Sequence, residues 1–219
     1  MQWNYTRMVD IVSASLAQGL TLAIMVYVSL PGSPAHFNPV TTLVALLTGN
    51  SSPSAALINM ACQFMASILG GLCLKLQSRD LWHGEVKNQL GYPMVTQNTS
   101  TVSAFFAELL SSFIYIFAVY AVFYHRQAAS GTCATVIGAT FIFNSLSIGN
   151  MTGCCLNPAR VLGPSLFGMG ALQPRGEWIF YVAPVLGGVL GGLFYHVLFM
   201  EQNNPDYKDH NLDSLEKIE

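Results

Sequence analysis

Charge is what this chain has least of. Lys, Arg, Asp and Glu make up 9% of its 219 residues, whereas an ordinary soluble domain carries roughly 25%. Hydrophobic residues reach 52%, and the mean hydropathy is +0.45. So few charges cannot cover a water-exposed surface, which excludes a soluble globular protein and indicates one that lies in a lipid bilayer. The formal net charge of -2 provides no basic face, so we expect no nucleic-acid partner.

Patterns that bind metals or catalyse reactions are missing as well. The five cysteines are an odd number, and no CxxC or Cys/His spacing occurs. The apolar runs contain one glutamate, Glu108, without a second carboxylate or an HExxH zinc motif. We therefore expect no metal, no cofactor and no enzymatic activity.

Five apolar runs are long enough to cross a bilayer, which takes about 20 residues. A polar loop separates the second run from the third, and a charged tail occupies 201–219. The pattern predicts an all-α membrane protein with five full spans, at about 11–30, 54–76, 102–124, 132–149 and 178–199.

Two Asn-Pro pairs open shorter apolar stretches between these spans. "NPVTTLVALL" begins at Asn38 and "NPARVLGPSLF" begins at Asn157. Asn favours the N-cap of a helix, and Pro is tolerated in the first turn because that N–H has no helical partner. Each stretch is about half a span long, so we interpret both as half-helices that enter the membrane without crossing it.

The spacing around the two pairs also repeats. Gly19 and Gly138 each precede their Asn by 19 residues. The segments "ASILGG" (66–71) and "APVLGG" (183–188) follow the two Asn residues at similar offsets. The order of span, half-helix and span therefore occurs twice.

The two copies lie at 11–76 and 102–199, and the number of crossings between them predicts that one is inverted relative to the other. The copies are unequal, because the second one starts with a further span that contains Glu108.

With these motifs the chain resembles the aquaporin (major intrinsic protein) family. The resemblance extends from about Leu16 to Met200 and is carried by "AHFNPV", "AELL", "TGCCLNPARVLGPS" and "WIFYVAP". Within the family, "AQGLTLAI" followed by "HFNPV" is most similar to the aquaporin-8 type. The resemblance implies one channel domain over 1–219, built as a right-handed helical bundle with inverted repeats and a cytoplasmic tail. It also implies a homotetramer and an integral, multi-pass protein of the plasma membrane or an intracellular membrane.

The resemblance implies a passive water channel. Two half-helix N-termini that meet at the bilayer centre create a positive potential, which opposes protons and other cations. The amides of Asn38 and Asn157 would donate to the oxygen of a passing water molecule. Val40 stands where the family motif usually has Ala. The motif residues are Asn38, Pro39, Val40, Asn157, Pro158 and Ala159.

A guanidinium at membrane depth is costly, so Arg160 marks a pathway or has a partner. By resemblance Arg160 belongs to the selectivity filter, and the family offsets place the other members at Gln18, Ser145 and Cys154. Water-selective members carry Phe and His where this chain has Gln18 and Ser145. This more polar and less bulky constriction predicts that ammonia, hydrogen peroxide or similar neutral solutes pass together with water. Glycerol is less favoured, because Val161 stands where glycerol-conducting members usually have Asp.

The family arrangement has a further span before Ile11, with a glutamate that matches Glu108 and holds the adjoining loop. Only about ten residues precede Ile11, so we expect this first span to be missing. Unsatisfied backbone in hydrocarbon costs several kcal/mol per group. The alternative to a working five-span channel is a truncated, non-conducting membrane protein that acts as a regulatory or structural subunit.

Smaller features complete the expectations. Asn98 begins the sequon with the best prospect of glycosylation, since it lies in the long polar loop. Glu108, Gly19 and Gly138 are expected to have structural roles. His36 is isolated near a membrane end, and we expect it to be solvated rather than to sense pH.

Overall fold

The computed structural model describes residues 11–77, 90–124, 132–168 and 176–200. Every regular element in these ranges is an α-helix. The five long helices are apolar enough to cross a membrane, and their ends agree with the predicted spans to within about three residues. The helices are α1 (Ile11–Ser29), α2 (Pro39–Leu47), α3 (Pro53–Gln77), α4 (Thr101–Phe123), α5 (Cys133–Thr152), α6 (Ala159–Phe167) and α7 (Ile179–Phe199).

The all-α membrane fold is thereby confirmed. The residues before Ile11 and the predicted tail (201–219) lie outside the described ranges.

The two short helices are the predicted half-helices. Each has nine residues, which at 1.5 Å per residue is about 13 Å, less than half of the roughly 30 Å hydrocarbon core. Pro39 opens α2 at its first position. In α6 the helix begins one residue later relative to the motif, so that Pro158 precedes it.

Glycines allow the long helices to approach closely. At the crossing of α1 and α5, a Cβ atom added to Gly19 would lie 2.7 Å from the carbonyl oxygen of Gly138. A Cβ atom added to Gly138 would lie 2.5 Å from the carbonyl oxygen of Gly19. On α7, Gly187 packs against the backbone of Leu109 in α4, whereas Gly188 packs against Val40 in α2. Small residues at such crossings let membrane helices associate through backbone contact.

The two copies of the repeat pack alike on one side and differently on the other. Gly71 of α3 corresponds to Gly188 of α7, and it also faces a half-helix, at Gly163 of α6. Gly70 corresponds to Gly187, yet a Cβ atom added to Gly70 would meet nothing within 4 Å. In the described ranges, therefore, no helix stands against α3 as α4 stands against α7.

Candidate functional site

Asn38 and Asn157 lie together where the two half-helices begin. The side-chain Nδ2 of Asn38 donates to the carbonyl oxygen of Leu156 over 2.9 Å. Reciprocally, Nδ2 of Asn157 donates to the carbonyl oxygen of Phe37 over 2.8 Å. Each asparagine is thus bonded to the loop that precedes the other one, which fixes the two half-helix N-termini beside each other.

The hydrogen bonds of each amide leave one of its two N–H donors for a solute. The Oδ1 atom of Asn38 accepts the N–H of Val40, and that of Asn157 accepts the N–H of Ala159, both over 3.0 Å. A primary amide has two N–H donors, and one of them is used by the carbonyl of the opposite loop. One N–H per asparagine is left to donate to a solute, in an orientation set by the other bonds.

The loops before both asparagines have the same backbone shape. Ala35 and Phe37 have φ angles of 48° and 49°, and Cys154 and Leu156 have φ angles of 51° and 54°. These residues occupy the third and first positions before each Asn. A left-handed conformation costs a residue with a side chain roughly 1–2 kcal/mol, so both loops need support from their surroundings.

Glu108 supports the second loop. Its carboxylate accepts the N–H of Cys155 over 2.8 Å and the N–H of Leu156 over 3.0 Å. The hydroxyl of Thr152 donates to it over 2.6 Å. Glu108 is fully buried on α4, and its three donors compensate the cost of burying a carboxylate. This contact shapes the loop that presents the carbonyl of Leu156 to Asn38.

Arg160 lies in the first turn of α6 and bonds back to the same loop. Its Nη1 atom donates to the carbonyl oxygens of Gly153 and Cys154 over 3.2 and 3.1 Å. A guanidinium has five donors, and these two carbonyls occupy only part of them. The structure thereby gives this membrane-embedded charge backbone partners.

Two cavities flank the asparagines. One has a volume of about 460 Å³ and is lined in part by Gln18, Asn38, Asn157 and Arg160. The other, of about 490 Å³, opens along α3 and includes Gln63. Asn157 and Arg160 line both cavities, so polar groups of the second motif border both spaces.

The four predicted filter residues differ in where their side chains lie. Gln18 and Arg160 share the smaller cavity. The hydroxyl of Ser145 is buried and accepts a 2.8 Å hydrogen bond from Ser15 of α1. Cys154 is fully buried and contributes its backbone carbonyl to Arg160. Of the four predicted filter residues, Gln18 and Arg160 therefore border this cavity.

Val40 and His36 also have distinct surroundings. Val40 is 1% exposed and packs against Gly188, a position from which its methyl groups face α7. His36 is 6% exposed, so the expectation that it is solvated is wrong. Its two ring nitrogens bond to Thr42 and Tyr124, and burial lowers its pKa to about 4. Its partners lie 6 and 88 residues away in sequence, which sequence inspection could not foresee.

Comparison with known proteins agrees with this arrangement. The family model described as Major intrinsic protein matches residues 1–195. The chain belongs to the major intrinsic protein family. A glycerol uptake facilitator protein of Streptococcus pneumoniae (strain ATCC BAA-255 / R6) is 32% identical over 196 residues, which cover 84% of this chain and 81% of that protein. Aquaporin-4 of Homo sapiens is 31% identical over 192 residues, which cover 87% of this chain and 57% of aquaporin-4.

Two further comparisons extend the family assignment. Nodulin-26 of Glycine max is 30% identical over 195 residues, covering 89% of this chain and 68% of that protein. Among solved structures, the aquaglyceroporin from Plasmodium falciparum superposes with a TM-score of 0.75 over 94% of this chain and 88% of that chain. The sequence identity there is 20%, so the likeness concerns the fold.

Family membership identifies an integral, multi-pass membrane protein that is a channel for water or other small solutes and not an enzyme. The named relatives include both a glycerol facilitator and an aquaporin. The solute of this chain therefore has to be inferred from its own pore residues.

Proposed function

We propose that the chain is a passive water channel in which Asn38 and Asn157 orient water at the centre of the membrane. The observation that carries this proposal is the reciprocal bonding of the two amides, which leaves one N–H on each for a water oxygen. A water molecule held by two donors has its own hydrogens directed outward along the pore. Such a molecule interrupts the hydrogen-bonded chain along which a proton would pass, and the two half-helix dipoles repel cations at the same place.

Small neutral solutes such as ammonia and hydrogen peroxide are the further cargo that we assign to this pore. Gln18 and Arg160 border the 460 Å³ cavity together. Ser145 is short, and its hydroxyl already contacts Ser15. A wall of this kind offers hydrogen-bonding groups without a bulky aromatic ring, which suits polar solutes slightly larger than water.

The finer assignment follows the sequence. The segments "AQGLTLAI" and "HFNPV" favour the aquaporin-8 type. In the proposed organisation a single channel domain has inverted copies at 11–76 and 102–199 and assembles as a homotetramer in the plasma membrane or an intracellular membrane. Asn98 is the proposed glycosylation site, and it is exposed in the loop before α4.

A non-conducting subunit is the second candidate function. It is favoured by the face of α3 around Gly70, where nothing approaches within 4 Å although the equivalent Gly187 is tightly packed. A pore wall that is open at this face would let lipid reach the cavity that extends along α3. The family arrangement that the sequence resembles has a further span before Ile11, and a span against this face would close the wall.

Stopped-flow osmotic shrinkage of proteoliposomes separates the two functions. The wild-type chain is compared with Asn157→Asp, which replaces the donating amide by a carboxylate, and with Asn150→Asp as a control, because Asn150 is exposed at the end of α5. We expect fast shrinkage of wild type and Asn150→Asp, and a strong reduction in Asn157→Asp. Shrinkage of folded wild type no faster than that of empty liposomes would support the non-conducting subunit.

A further inference from the structure

The first pore loop (35–37) and the second pore loop (154–156) differ in the side chains to which the described ranges attach them. In the second loop, Cys155 and Leu156 donate to the buried carboxylate of Glu108. Counted back from the two asparagines, their equivalents in the first loop are His36 and Phe37. Both loops carry the same left-handed residues, so the first loop requires an equally firm attachment.

In the described ranges, the imidazole of His36 attaches this loop to its surroundings. Its Nε2 atom lies 2.7 Å from the hydroxyl oxygen of Tyr124, and its Nδ1 atom lies 3.0 Å from Oγ1 of Thr42. Gln63 of α3 donates to the same Thr42 oxygen over 3.0 Å. Besides Glu108, the described ranges contain one acidic residue, Glu177, which lies just before α7. The first loop is therefore attached to α2, α3 and the end of α4 through neutral side chains.

Tyr124 is itself held firmly. It caps α4, where its backbone N–H donates to the carbonyl of Tyr120, and the two tyrosine rings lie 4.6 Å apart. The hydroxyl of Tyr120 in turn bonds to Thr48, the residue that caps the end of α2. The last turns of α4 thus contact the loop before α2 and the end of α2 itself.

We propose that Tyr124 is a positioning residue of the first Asn-Pro motif, which acts on the first pore loop through its hydrogen bond to His36. One helix, α4, then supports both loops, with Glu108 near its start and Tyr124 at its end. The inference rests on the proposed water channel, because the carbonyl of Phe37, which this attachment places, orients the amide of Asn157.

The hydrogen bonds around Thr42 determine whether the hydroxyl of Tyr124 donates to His36 or accepts from it. The Thr42 hydroxyl lies 3.4 Å from the carbonyl oxygen of Asn38 and can donate to it. Thr42 then accepts from Gln63 and from the Nδ1–H of His36, so that Nε2 accepts the proton of Tyr124. This makes the imidazole neutral. The titratable or charged groups around it are Tyr124, Cys62 of α3 and Arg160 of α6, the last two as lining residues of the same cavity.

The test is Tyr124→Phe, which keeps the ring and removes only the hydroxyl. Tyr27→Phe is the matched control, because Tyr27 is 72% exposed on α1. In proteoliposomes we expect Tyr124→Phe to lower water permeability per channel about fivefold, since the loop loses the hydrogen-bond partner of the buried His36. Tyr27→Phe is expected to match wild type.

A pH profile separates positioning from general support. Without the phenol, Nε2 becomes open to cavity water and titrates nearer to the ordinary histidine value, so the permeability of Tyr124→Phe falls on acidification to about pH 6. Wild type is expected to stay constant over this range. Equal permeability and equal pH profiles of Tyr124→Phe and wild type would overturn the inference.

A double-mutant cycle with His36→Gln tests whether Tyr124 acts through His36. We expect little further loss when Tyr124→Phe is added to His36→Gln, whereas an undiminished loss would contradict the proposed route.

If Tyr124→Phe does not fold, Thr42→Ser and Thr42→Val test the other end of the imidazole, with activity expected only for the variant that keeps the hydroxyl. Thermal unfolding in detergent measures the same Tyr124–His36 coupling without any need for conduction. A wild-type chain that does not conduct would therefore reject only the proposed water channel. Absence of the coupling would reject the positioning role of Tyr124.

Discussion

Asn157 donates through its side chain to the carbonyl oxygen of Phe37, a residue 120 positions earlier in the chain, over 2.8 Å. Asn38 makes the corresponding contact with Leu156 over 2.9 Å. The loops before the two half-helices are thereby joined to each other. A change in either loop is transmitted directly to the asparagine of the other half.

The support of the second loop is open to test by Glu108→Gln. A glutamine can accept from only one side of its amide, and its NH₂ group would face an N–H of Cys155 or Leu156. We expect a loss of about 2–3 kcal/mol in stability, the range for hydrogen bonds to a charged group or a buried group left without a partner. Thermal unfolding in detergent checks this. Glu177→Gln, which changes the acid before α7, is the matched control, and an equal loss in both variants would contradict the role of Glu108.

The unequal packing of the repeat predicts opposite outcomes at equivalent glycines. In Gly187→Ala the new methyl group would lie 2.0 Å from the carbonyl oxygen of Leu109, and such overpacking costs about 1–3 kcal/mol. In Gly70→Ala it would meet nothing within 4 Å, so the variant should be neutral or more stable by about 0.5–1 kcal/mol. Unfolding temperatures of the two variants decide the matter. Similar damage in both would show that a further element packs on α3.

Burial of His36 predicts that water permeability is constant between about pH 8 and about pH 5.5. The pKa of His36 is lowered from 6.5 to about 4, so the imidazole stays neutral throughout that range. The fold disfavours the protonated form, and its stability should therefore decline as the pH falls from 6.5 towards 4. Stopped-flow and unfolding measurements over the same buffers test both statements, and a permeability change centred near pH 6.5 would contradict the first.

The cavity shared by Gln18 and Arg160 predicts a change in solute range. Gln18→Phe should lower the flux of hydrogen peroxide and ammonia more than that of water, because a rigid ring narrows the space and removes a hydrogen-bonding group. Ratios of solute to water permeability in the same liposomes measure this. Val12→Phe on the exposed face of α1 is the control, and an unchanged ratio in Gln18→Phe would place the constriction elsewhere.

Features that depend on neighbouring residues were predictable from the sequence. Asn38 and Pro39 each have a local reason to start α2, and the length of each apolar run determined which helices cross the membrane. The repeated spacing singled out Gly19 and Gly138, and the structure places these two glycines in contact at one helix crossing.

Features that depend on distant partners were not predictable in this way. Ser15 and Ser145 meet across 130 residues, and His36 meets Tyr124 across 88. Nothing in the local pattern of these residues indicates the pairing. Likewise Gly70 and Gly187 are equivalent in sequence, and only the presence or absence of a neighbouring helix makes their surroundings different.

The most direct test measures water and proton flux in the same proteoliposomes that contain the wild-type chain. An osmotic step followed by stopped-flow light scattering gives the water permeability, and a pH-sensitive dye inside the vesicles gives the proton flux after an acid step. The paired amides and half-helix dipoles predict rapid water movement with proton flux no higher than in empty vesicles. Water movement at the empty-vesicle rate, or a proton flux that rises with the water flux, would contradict the role assigned to Asn38 and Asn157.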